Sequence, residues 1–277
     1  MSILLGIAVG LVLGLTGAGG SVFAVPLLML GLGWSLAQAA PVALLAVCAA
    51  AAFGTAAAWD VTYVRYRAAL LMAATGLLTA PLGLHAAGLL PAEALNLVFA
   101  LILLIVAGRM VGHARQHPDE TAVVRATVAG DGPQDGGPLC GLHASTGRLI
   151  WTRPCAALLS AIGATTGFLS GLVGVGGGFV IVPCLRAGTP LSMHSSVATS
   201  LMAISLTSAA TLAVALLMGR TLPWGIALPF VLGALAGMFG GRRLAPRVAG
   251  PRLQQGFAGL MVAVALAMGA HALGAGA

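Results

Sequence analysis

The chain has 277 residues, of which 59% are hydrophobic and only 7% charged, with thirteen basic residues against six acidic ones. Apolar runs longer than about eighteen residues recur along it, which excludes a soluble domain and points to a polytopic membrane protein. Its net charge of +7 is carried entirely by Arg, with no Lys, and Arg scattered through an apolar bundle reads as a topology signal rather than a nucleic-acid surface.

No charged residue precedes Asp60. The basic n-region of a signal peptide is therefore missing, and the first apolar segment is read as structural. Residues 2–33 are apolar but are cut at Gly17–Ser21. As helices, 2–16 would rise about 22 Å and 22–33 about 18 Å. Each falls short of a hydrocarbon core of about 30 Å, and joined they would overshoot it. A re-entrant hairpin is expected, followed by spans at 37–59, 67–88 and 91–112. Residues 113–153 turn polar, with His117-Pro118-Asp119-Glu120 and a Gly/Pro/Asp run over 130–138, and are expected to form a poorly ordered linker. A second hairpin over 154–187, cut at Gly174–Gly178, precedes spans at 192–219, 222–243 and 252–274. Pro91, Pro223 and Pro251 sit near helix starts, where a missing N–H costs little.

The two halves are copies. At an offset of 157 residues, Gly14/Gly171, Leu15/Leu172, Gly17/Gly174, Gly19/Gly176, Gly20/Gly177, Val25/Val182 and Pro26/Pro183 are identical. The expected fold is therefore all-α, with repeats at 1–112 and 154–277 joined by the linker 113–153. Each repeat is a glycine-broken hairpin plus three transmembrane helices. With both hairpins re-entrant, twelve of the thirteen Arg fall on one side and only Arg220 on the other; with each hairpin spanning once, the split is eight to five. Basic residues concentrate in the cytoplasm, which favours the hairpins, a cytoplasmic linker and both termini outside. Three crossings per repeat would make the repeats inverted, an architecture of secondary transporters.

Glycine-rich backbone at mid-membrane depth is tolerated only where it is buried or lines a polar cavity. Each cluster precedes a short helix, so the N–H groups of Gly19, Gly20 and Ser21, and of Gly176, Gly177 and Gly178, would project from two helix N-termini and suit an anion. In inverted repeats the two tips would meet near the midplane. The competing use of such glycines is close helix crossing, which is also how Gly233, Gly237 and Gly241, echoed by Gly76 and Ala80, are read. Thr16, Ser195, Ser196, Thr199 and Ser200 are further candidate ligands, as is Gln38, which the offset places opposite Ser195. Hydroxyls in membrane helices also bond back to their own backbone. The clusters lack the Lys-Ser/Thr of a P-loop. His113 and His117 have metal-ligand spacing without a third ligand, so no cofactor or metal is expected. The four cysteines form no CxxC pair and are read as inert thiols.

At these residues the chain resembles the TauE/SafE family of sulfite exporters and sulfonate permeases. The resemblance rests on Gly17-Ala18-Gly19-Gly20-Ser21 up to Pro26, on Gly174-Val175-Gly176-Gly177-Gly178 up to Pro183, and on the Ser195–Ser200 run. It implies a bacterial inner-membrane transporter of small sulfur oxyanions or organosulfonates such as sulfite or sulfoacetate, which would make the two outside termini periplasmic. The first copy departs from the pattern, with Gln38, Ala39 and Pro41 where the second has Ser195, Ser196 and Ala198. The leading expectation is a non-enzymatic secondary carrier of a small anion, with sulfite export favoured and alternating access around the paired tips. An anion channel, an uptake permease and, from another class, a non-transporting scaffold subunit stay open. The expected partners are the anion and the bilayer.

Overall fold

The computed structural model describes residues 1–17, 20–57, 65–116, 140, 151–178, 180, 181, 184, 185, 189, 193–248, 256, 259 and 261–268. The first repeat folds as α1 (Ser2–Thr16), α2 (Ser21–Leu32), α3 (Leu36–Ala57), α4 (Tyr66–Leu89) and α5 (Ala92–Gln116). The second contributes α6 (Arg153–Val173), α7 (Met193–Leu217) and α8 (Trp224–Val248). Residues 178, 180, 181, 184, 185 and 261–268 are also helical, and no strand occurs among the described residues. Most of the expected linker and the last span's ends lie outside the described residues.

Five helices, α3, α4, α6, α7 and α8, are long and apolar enough to cross a membrane. With 15 and 12 residues, α1 and α2 are not. The second hairpin differs from the first here. Its leading helix α6 has 21 residues, a rise of about 31 Å, so shortness does not distinguish it from a span. Thr152 starts α6 early by accepting a hydrogen bond from the Cys155 N–H at 3.3 Å, with Pro in the first turn, a combination that favours helix initiation.

Both breaks are real reversals. Gly17 (φ 76°) and Gly174 (φ 75°) take the left-handed conformation, and their N–H groups close the helices onto Leu13 and Ser170 carbonyls at 2.8 Å. A residue with a Cβ would cost about 1–2 kcal/mol there. Beyond the first break, Gly20 lies against the backbone of Val12 and Leu13, and Gly31 against the Leu5 side chain. The α1–α2 pair is thus an antiparallel hairpin. Beyond the second, Gly177 lies against Thr166, eleven positions back in α6.

Packing exchanges the repeats. The most extensive interfaces are α1 on α8 and α6 on α4; α1 and α6 are equivalent under the 157-residue offset, as are α4 and α8. Gly6, Gly10 and Gly14 of α1 meet backbone atoms of Phe230, Ala234 and Met238, while Gly233, Gly237 and Gly241 meet those of Ile3, Ile7 and Leu11. Gly163, Gly167 and Gly171 of α6 repeat this against Met72, Gly76 and Ala80. In both interfaces residue numbers rise together, so the helices run parallel, and small residues let the backbones touch. The Gly233 stripe is therefore a packing device, as expected. Its partner stripes on α1 and α6, three identical pairs at the same offset, complete it.

At the centre α3 packs on α7. Gly54, near the end of α3, meets Leu201, near the start of α7, while Val47 and Ser208 converge on Gly176. These equivalent helices therefore run antiparallel. Cys140 and Cys155 form a disulfide with Cα atoms 5.0 Å apart, leaving Cys48 and Cys184 free. This corrects the reading of all four as inert thiols; a sequence separation of 15 hid the pair.

Candidate functional site

Among the described residues, helix α7 concentrates the buried hydroxyls. Ser195, Ser196, Thr199, Ser200, Thr207, Ser208 and Thr211 are all buried. An apolar bundle offers no water to such groups, so each needs a protein partner or a ligand. Most are satisfied. Ser200 donates to the Ser196 carbonyl at 2.6 Å and Thr207 to that of Ala203 at 2.8 Å. Thr199 accepts from the Arg65 backbone N–H at 3.1 Å, and Ser170 Oγ lies 3.2 Å from Thr211 Oγ1. Two hydroxyls, Ser196 Oγ and Ser208 Oγ, have no hydrogen-bond partner among the described residues.

Ser208 sits by the second glycine break, and Ser196 precedes a residue that contacts the first. Gly17 touches Val197, next to Ser196, and Gly176 faces Ser208. A Cβ on Gly176 would stand 2.5 Å from Ser208 Oγ and 3.1 Å from Val47 Cγ1. Gly176 (φ 75°) and Gly177 (φ 66°) both occupy the left-handed region, and residues 174–178 are buried. The second tip thus meets a hydroxyl donor between the middles of α3 and α7. A buried hydroxyl without a partner is uncommon and calls for an explanation.

The expected site residues fall into distinct places. Gly19 lies outside the described residues. Gly20 is the buried N-cap of α2, which has no side-chain cap, and Ser21 is its buried first residue. Gly176, Gly177 and Gly178 are buried at the second tip. Thr16 donates to the Val12 carbonyl at 2.8 Å, and exposed Gln38 accepts from the Ser35 N–H at 3.3 Å. Neither of these two faces a tip through the bonds it makes. Ser195, Ser196, Thr199 and Ser200 line the first turns of α7, beside the first tip. From Ser196 to Ser208 is twelve residues, about 18 Å along the helix. The neighbours closest to Gly17, Gly174 and Gly176 come from α7, from Ala40 of α3, and from both helices, respectively.

Ser208, Thr207 and Thr211 were not among the expected ligands, yet a signal for Thr207 and Thr211 exists. Ser196, Ser200, Thr207 and Thr211 share one helical face, so the Ser195–Ser200 run is the beginning of a stripe. The stripe is one-sided. The positions equivalent to Ser196, Thr207, Ser208 and Thr211 are Ala39, Ala50, Ala51 and Gly54.

Among known proteins, the family profile described as "Sulfite exporter TauE/SafE" matches residues 2–268. A "Probable membrane transporter protein" of Xylella fastidiosa (strain 9a5c) is 30% identical over 270 residues, covering 93% of this chain and 90% of that relative. A protein of the same description from strain Temecula1 / ATCC 700964 is 30% identical over 263 residues, with the same coverage. No solved structure matches the chain significantly.

Proposed function

The chain belongs to the sulfite exporter TauE/SafE family and is a multi-pass membrane transporter; from that premise we propose that it is a secondary carrier of a small sulfur oxyanion or organosulfonate, with sulfite export favoured. The substrate binds where the glycine tips reach α3 and α7, and the observation that carries this is the buried, unpartnered Ser208 hydroxyl facing Gly176. Open glycine N–H groups and neutral hydroxyls bind an oxyanion through hydrogen bonds, without a buried cation that would hold it too tightly to release. Antiparallel packing of α3 and α7 supports inverted repeats, and the reversals at Gly17 and Gly174 support re-entrant hairpins, the arrangement in which alternating access rocks one repeat against the other. Export from a negative-inside cell is downhill for an anion by about 2.3 kcal/mol per charge per 100 mV. In this reading the protein lies in the bacterial inner membrane and acts without cofactor.

The test is thermal stabilisation of the purified protein by sulfite, thiosulfate, sulfate, sulfoacetate and chloride, beside Gly177→Val. Stabilisation by one sulfur anion, lost in a folded variant, is expected. No response to any of the anions from well-folded protein would reject the site. Saturable flux with counterflow in vesicles then separates a carrier from a channel.

A further inference from the structure

A second site lies at the ends of α4 and α7, and none of the residues that line it belongs to the glycine tips. Leu84, His85, Gly88 and Leu89 from the last turns of α4 face Met218 and Arg220 across a cavity of about 240 Å³, far more than one water needs. The chain fixes this meeting. Helix α7 ends in a Schellman turn, with Gly219 at φ 84°, its N–H bonded to the Leu216 carbonyl and the Arg220 N–H to that of Ala215, both at 3.0 Å. That pins the Arg220 backbone beside the end of α4. Among the described residues, neither the Arg220 guanidinium nor the His85 ring has a hydrogen-bond or ion-pair partner.

The ordinary duty of a cation at such a position is visible elsewhere in the molecule. Arg242, equivalent to His85 under the 157-residue offset, donates to the Gly54 carbonyl at the end of α3. His85 does no such work. Around the cavity mouth Leu82, Leu89, Leu217 and Met218 are 62%, 74%, 87% and 52% exposed, an apolar collar of the kind that faces acyl chains. An unpaired guanidinium and an unpaired imidazole in a concavity at a helix-bundle surface, rimmed by exposed leucines, match a phosphate group at the bilayer interface.

We propose that His85 and Arg220 form a surface site for a phosphate-class oxyanion, presented by an anionic lipid headgroup or taken from solution. Guanidinium donors of Arg220 bind two of its oxygens, and His85 binds a third from the α4 side. This site is separate from the transported anion and stands whatever that anion is.

The experiment is the melting temperature of the full chain in detergent with added dioleoyl phosphatidylglycerol, dioleoyl phosphatidylcholine or sodium phosphate. It compares wild type, Arg220→Gln, His85→Gln, the double variant and Arg67→Gln, an exposed Arg at the start of α4. A rise with phosphatidylglycerol over phosphatidylcholine, lost in the Arg220 and double variants and kept in Arg67→Gln, supports the site and names a lipid as its source. A rise with phosphate alone, lost in the same variants, supports it with a soluble source. Equal responses to all three additions, or responses that survive in the double variant, overturn it. All four variants change groups at the surface or half-buried, so their unliganded melting temperatures should match wild type and certify the fold.

Discussion

Ser208 is the residue on which the substrate site turns. Its hydroxyl is buried and unpartnered, so it contributes nothing to the unliganded fold that Ala could not. Ser208→Ala should leave unliganded stability unchanged or slightly raised. A hydrogen bond to a charged group is worth about 1.5–3 kcal/mol, so substrate affinity should fall roughly ten- to a hundredfold. Vesicle uptake or efflux assays read this as a raised half-saturation concentration. Thr165→Ala is the control, because Thr165 bonds back to its own helix, to the Ala161 and Ile162 carbonyls at 2.8 and 3.0 Å. Equal kinetics in wild type and Ser208→Ala would remove Ser208 from the site and leave the Ser196 end of the stripe as the place to look.

At the scale of the element, the molecule is held by two glycine-lined helix pairs that swap partners between repeats. Burial of apolar side chains supplies little association energy between helices in lipid, where van der Waals contact of close backbones takes over. The cost of a methyl group then depends on which face receives it. On α8, Gly237 meets the backbone of Ile7 and Leu11, whereas Gly240 meets nothing within 4 Å. Gly237→Ala should lower the melting temperature, as overpacking costs about 1–3 kcal/mol, while Gly240→Ala should be neutral or stabilising through helix propensity. Equal melting temperatures would mean that the α1–α8 pair is not held by backbone contact.

At the scale of the whole molecule, orientation sets two features against each other. The arginine distribution favours a cytoplasmic linker, yet Cys140 of that linker is bridged to Cys155, and disulfides persist in oxidising compartments. A cytoplasmic linker therefore predicts that the pair is reduced in growing cells and closes on oxidation. Maleimide trapping in acid-quenched cells should modify both thiols. Cysteines that stay unmodified until a reductant is added would place the linker in the periplasm and reverse the orientation.

The membrane class and the all-helical fold were legible in the sequence because hydropathy is a local signal, and the ungapped 157-residue offset is a linear one. Both breaks were legible too, since Gly17 and Gly174 carry the same requirement for a positive φ. Three-dimensional neighbours were not. The face of α7 that meets Gly176 depends on how α3 crosses it, so Ser208, off the stripe that carries Thr207, stood among other hydroxyls with nothing to single it out. Gly6, Gly10 and Gly14 had the spacing of a packing stripe, but only the fold showed that their partner lies more than two hundred residues away in α8. Likewise His85 and Arg220 lie 135 positions apart in the chain, and line a shared cavity only through the parallel docking of α4 and α7. A sequence records which side chains a helix can present; the packing of one repeat against the other decides which of them meet.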